Sequence, residues 1–112
     1  MDASHDDLLL VFTSLPSQEA ASALARELLQ RQLVACAQIQ PIDSLYRWEG
    51  ELCEEQEWRL LLKTRAAQYE DLQALVLDLH PYELPALMAL PVSASSSAFE
   101  AWVREQTAQP QA

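Results

Sequence analysis

The chain has 112 residues, half of them apolar, and carries 17 acidic side chains against 7 basic ones, for a net charge of −10. That length supports a single domain with a single core. The acidic balance excludes a nucleic-acid phosphate surface or an anionic membrane surface as partner, since both require a basic face. The one glycine, Gly50, excludes the Gly-rich phosphate loops of nucleotide-binding folds.

The domain is expected over residues 8–105, with residues 1–7 and 106–112 as flexible polar tails. Leu8 to Phe12 is a continuous apolar run, the pattern of a strand covered on both faces. It is too short to span a bilayer and has no charged leader before it, so a cytoplasmic chain is expected. Ser17 can cap a helix that extends to about Gln32, with Ala21, Leu24, Ala25 and Leu28 recurring at helical spacing. Leu33 to Ile39 is a second apolar run that stops at Pro41. Its small residues Ala35 and Ala37 suit close packing of a helix or a neighbouring chain.

Ser44 to Glu51 reads as a strand leading into a turn at Gly50. Glu57 to Thr64 alternates, with Trp58, Leu60 and Leu62 on one face and Arg59, Leu61 and Lys63 on the other. Arg65 to His80 reads as a helix with Tyr69, Leu72, Val76 and Leu79 inward. Leu84 to Leu90 is a fourth strand, bracketed by Pro85 and Pro91 and so at an edge. Ala98 to Glu105 is a short last helix. The order β-α-β-β-α-β plus a small helix is the ferredoxin-like α+β sandwich, with helices on one sheet face only. The first strand lacks a polar side, so the other face also needs cover, which oligomerisation supplies.

Several segments together resemble the divalent-cation tolerance proteins called CutA. They are Leu33-Val34-Ala35-Cys36-Ala37, Ile39-Gln40-Pro41, Ser44-Leu45-Tyr46-Arg47-Trp48-Glu49-Gly50, Glu57, Lys63-Thr64, His80-Pro81-Tyr82-Glu83-Leu84-Pro85, Leu90-Pro91 and Trp102. The resemblance implies a ferredoxin-like subunit in a homotrimer like that of the PII-type signalling proteins. It also implies a role in divalent-metal tolerance, with copper binding proposed for some members and no settled catalytic reaction. This chain departs from the pattern at Phe12 and Leu79, where some members carry a cysteine and a second histidine. It departs again at Gln38, at Ala86 and around Ser93 to Ala98.

Pro81 biases His80 away from helix, which holds the imidazole at a corner. A neutral imidazole suits copper or zinc; the other reading is a corner histidine bonded to backbone or to Glu83. Cys36 is a soft thiol suited to copper, or a small buried side chain in its strand. No cofactor is required on this reading; copper or another divalent metal is the expected ligand. Glu49, Glu51, Glu54, Glu55 and Glu57 read as a solvated acidic hairpin, except that Glu57 matches the family and begins its strand. Lys63 needs a partner if its face is covered, or stands exposed at a strand end. Tyr46, Trp48 and Tyr82, with Glu57, Lys63 and Glu83, mark a subunit seam or a ligand cleft. No nucleophile–base pair can be assigned, and the chain is not read as an enzyme. The alternative to metal response is a PII-like trimeric small-molecule sensor or partner-binding scaffold without metal.

Overall fold

The structure is a computed structural model that describes residues 7–108. Its elements are β1 (Leu8–Leu15), α1 (Gln18–Gln30), β2 (Cys36–Trp48), β3 (Glu51–Arg65), a 3-10 turn (Ala66–Gln68), α2 (Tyr69–Leu79), β4 (Leu87–Pro91) and α3 (Ser97–Gln106). The four strands form one sheet in the order β2-β3-β1-β4, and each neighbouring pair is antiparallel. This is the expected α+β, ferredoxin-like arrangement with an additional C-terminal helix.

Helix α1 begins where Ser17 accepts a hydrogen bond from the Ala20 amide at 3.0 Å, satisfying one of the orphan N–H groups of its first turn. It ends in a Schellman motif. Gln32, at φ 58, donates to the Leu29 carbonyl, and Leu33 donates to the Leu28 carbonyl. The stripe Ala21, Leu24, Ala25 and Leu28 is buried. It meets Leu9, Val11, Leu15, Leu60 and Leu62 from the sheet and Leu72, Leu75 and Val76 from α2. Each fully buried leucine or valine there contributes on the order of 1.5–3 kcal/mol of transfer free energy.

Several boundaries differ from those expected. β1 continues past Phe12 to Leu15. β2 passes through Pro41 without a break, because β2 is an edge strand and a missing N–H on its outer side costs no ladder bond. β3 starts at Glu51 rather than Glu57 and runs to Arg65, so α2 starts at Tyr69. β4 occupies Leu87–Pro91, leaving Leu84 to Ala86 in the preceding loop. Within α2, Leu75 rather than Leu79 faces the core; Leu79 is 46% exposed.

Trp48 pairs with Glu51, so Glu49 and Gly50 form a two-residue turn with φ values of 51 and 82. Two left-handed residues define a type I′ turn, whose twist matches that of the strands it joins. β3 pairs with β1 only from Trp58 to Arg65, but with β2 from Glu51 to Lys63. The far half of the hairpin therefore projects as a two-stranded arm.

Alternation puts Leu10, Phe12, Leu61, Met88 and Leu90 on the sheet face away from α1 and α2. Register makes them neighbours: Phe12 lies between Leu61 and Met88, and Leu10 lies beside Leu90. Met88 is 61% exposed. Helix α3 covers only one end of this face, where Val103 packs on Leu8 and Ala35. Thr107 anchors it there, receiving hydrogen bonds from Arg65 and Gln68. Gln106 thus still belongs to α3 and Thr107 is fully buried. The rest of the expected tails, residues 1–6 and 109–112, lies outside the described residues.

Candidate functional site

His80 caps the C-terminal end of α2 in an extended conformation, φ −71 and ψ 135, as the following Pro81 favours. Its Nδ1 accepts a hydrogen bond from the Tyr82 amide at 3.1 Å. Nε2 must therefore carry the proton, and it lies 2.8 Å from the Ser14 carbonyl oxygen, to which it donates. Both ring nitrogens are engaged with backbone, and the residue is buried. Burial lowers the imidazole pKa from its ordinary 6.5, against opposing pulls from the Ser14 carbonyl and the Glu57 charge. Held this way, the imidazole fixes the start of the α2–β4 loop against the end of β1. It has no lone pair left for a metal, so the donor set at this corner does not fit a transition ion within one chain.

The loop then carries Tyr82 toward the hairpin arm. The Tyr82 ring packs against that of His80, with centroids 4.9 Å apart, and its hydroxyl donates to Glu57 Oε2 at 2.7 Å. Glu57 is only 7% exposed. Burial, reinforced by the bond to Glu57, pushes the Tyr82 phenol pKa well up. A parallel contact lies further along the arm, where the Tyr46 hydroxyl donates to Glu55 Oε1 at 2.5 Å. That bond raises the Tyr46 pKa to about 12. Between the arm and the α2–β4 loop lies an open groove of about 880 Å³, and Tyr46, Trp48, Glu57, Tyr82 and Glu83 all line it.

The other expected site residues are elsewhere. Cys36 and Lys63 are register partners at the opposite end of the β2–β3 ladder from the arm. The Lys63 ammonium sits 5.8 Å from the centroid of the Phe99 ring, a cation–π contact rather than an ion pair. Cys36 is a half-buried free thiol. The neighbouring Thr64, fully buried, donates to the Leu33 carbonyl at 2.7 Å and pins the α1–β2 connection. Among the described residues, no group of three or more His, Cys, Asp or Glu side chains is placed to hold a metal ion. Sequence reasoning passed over Ser14 and read Glu55 only as a solvated member of the acidic hairpin. Ser14 acts through its carbonyl and leaves no signal. Glu55 could have been found from the Glu-Gly turn, which sets the register that brings it near Tyr46.

The sequence profile of the CutA1 divalent ion tolerance proteins matches residues 9–106. The chain belongs to the CutA1 family. It is 39% identical over 99 residues to the divalent-cation tolerance protein CutA of Thermus thermophilus, covering 88% of this chain and 96% of the relative. The solved structure of the periplasmic divalent cation tolerance protein CutA from Archaeoglobus fulgidus superposes with a TM-score of 0.87 at 30% identity, covering 89% of this chain and 98% of that one. A chloroplastic CutA of Arabidopsis thaliana is 35% identical over 88% of this chain and 55% of its own length. These relatives correct the cytoplasmic expectation: CutA proteins occupy more than one compartment, so membership does not assign one. Among the described residues no helix is long and apolar enough to cross a membrane.

Proposed function

We propose that the protein acts in the response to divalent cations as a non-enzymatic homotrimer. The observation that carries the trimer is the uncovered apolar face of the sheet, from Leu10 and Phe12 to Met88 and Leu90. Two features support it. The outer edges of β2 and β4 are different surfaces, so joining one to the other is a head-to-tail contact, which forms a ring where the rotation between subunits closes. The projecting arm exposes Leu45 and Leu52, and a two-stranded hairpin has little stability by itself.

Copper or another divalent ion is the proposed ligand, bound weakly. His80 spends both nitrogens on backbone, which leaves the Cys36 thiol as the proposed soft contact, completed by groups from neighbouring subunits. Calorimetric titration of tag-free protein with Cu²⁺ and Zn²⁺ tests this. Binding that Cys36→Ser weakens and His80→Gln leaves in place is expected. No heat at micromolar metal would remove the metal half of the proposal.

The groove favours a second reading, a trimeric sensor of a small molecule. Its volume and mixed aromatic and polar lining fall in the range of ligand sites. A metabolite panel screened by thermal shift tests it: a ligand that raises the melting temperature supports the reading, and a flat response across the panel counts against it.

A further inference from the structure

The groove has a definite chemical character. Asp43, Glu55, Glu57 and Glu83 line it, against a single basic side chain, Arg47. Glu57 is the distinctive member. It is more than nine-tenths buried, yet among the described residues its side chain receives one hydrogen bond, from the Tyr82 phenol. Among the described residues, no lysine or arginine forms an ion pair with it. A buried carboxylate without a counter-ion strongly favours an incoming cation over a neutral or anionic group.

The aromatic side chains narrow the choice of cation. Tyr46 and Trp48 are two residues apart on β2, so they project from the same strand face, and Tyr82 comes from the opposite wall. Aromatic faces attract ammonium groups through the ring quadrupole. The Tyr46 and Tyr82 hydroxyls are both turned to carboxylates, which leaves the rings electron-rich. A space of about 880 Å³ is far larger than a bare metal ion needs, and no three-ligand metal cluster stands among the described residues.

We propose that this groove binds a small organic ammonium ion, with the cationic head between the Tyr46 and Trp48 rings and the Glu57 carboxylate. The inference rests on the small-molecule reading of the groove and names the ligand class.

The test uses the native, full-length protein titrated with choline, with its neutral isostere 3,3-dimethylbutan-1-ol, and with acetate, followed by calorimetry and tryptophan fluorescence. Choline is expected to bind saturably, roughly tenfold more tightly than the isostere, and to weaken as salt is raised. Trp48→Ala and Glu57→Gln should each weaken choline by about tenfold or more. Melting curves identify a variant that has lost its fold, and Tyr46→Leu serves as the replacement variant. Equal binding of choline and isostere, with both lost in Trp48→Ala, would overturn the cation inference while leaving a small-molecule groove. Choline binding unchanged in all three variants would overturn it as well. No binding of any probe at tens of millimolar would overturn both the inference and the groove reading beneath it.

Discussion

The Tyr82 hydroxyl donates to Glu57 Oε2 at 2.7 Å, tying the α2–β4 loop to β3 where the hairpin arm leaves the sheet. One side of this contact is positioned by the His80 corner and the other by the register of β3. Both residues line the groove, and the contact gives the buried carboxylate its donor.

Tyr82→Phe keeps the ring and removes the donor. The bond is lost and Glu57 is left buried without a partner, so a loss of about 1–3 kcal/mol is expected in urea denaturation. An unchanged midpoint would show that the contact contributes nothing to stability.

Both phenols impose an alkaline limit. Their folded pKa values lie above the ordinary 10.0, so the unfolded chain ionises first. Stability is full below pH 10 and falls as pH rises beyond it. Phenol titration followed in the ultraviolet should show Tyr46 ionising near 12. An ordinary value for every tyrosine would contradict the two hydrogen bonds.

His80 sets an acid limit. Its folded pKa lies below 6.5, so between 6.5 and the folded value the unfolded state binds more protons. Its contribution is therefore full above pH 6.5 and declines as pH falls through that window. Nitrogen-detected NMR should show an Nε2–H tautomer with a pKa below 6.5. A pKa above that value, or an Nδ1–H tautomer, would mean that the corner is built differently.

Thr13 gives a prediction of opposite sign. Its hydroxyl is buried and has no hydrogen-bond partner among the described residues. Thr13→Val keeps the shape and removes the unsatisfied group, so a gain of about 1 kcal/mol is expected. Destabilisation by thermal or chemical denaturation would show that the hydroxyl does find a partner.

The fold was legible where local chemistry and periodicity agree. Ser17 as a cap, the stripe Ala21, Leu24, Ala25 and Leu28, and the alternation of Trp58, Leu60 and Leu62 each appear in the structure as read. The misses came from tertiary context. Pro41 looked like a stop because only sheet order shows that β2 is an edge. Leu79 looked inward because helical spacing alone cannot say where α2 diverges from the core. The acidic residues from Glu51 to Glu55 masked a strand, since that part of β3 pairs on one side only and faces solvent. At the site, His80-Pro81 announced a fixed corner, but the partners that occupy the imidazole are backbone groups, which no side-chain pattern reveals. Lys63 and Cys36 share strands β3 and β2 with the groove residues Glu57, Tyr46 and Trp48, yet strand length carries them to the other end of the ladder.

The uncovered sheet face yields the quaternary prediction. Met88→Asp places a charge beside Phe12 on that face, so desolvating it in a subunit contact would cost several kcal/mol, whereas the lone subunit exposes the position already. The variant should fold but dissociate, as seen by size-exclusion chromatography with light scattering. An intact trimer would place the interface elsewhere.

Sedimentation equilibrium on the native chain at low micromolar concentration is the most direct measurement. A single species with three times the 12.6 kDa mass of one chain is expected. A stable species at the mass of one chain would contradict it, since the face bearing Leu10, Phe12, Met88 and Leu90 would then remain open to water.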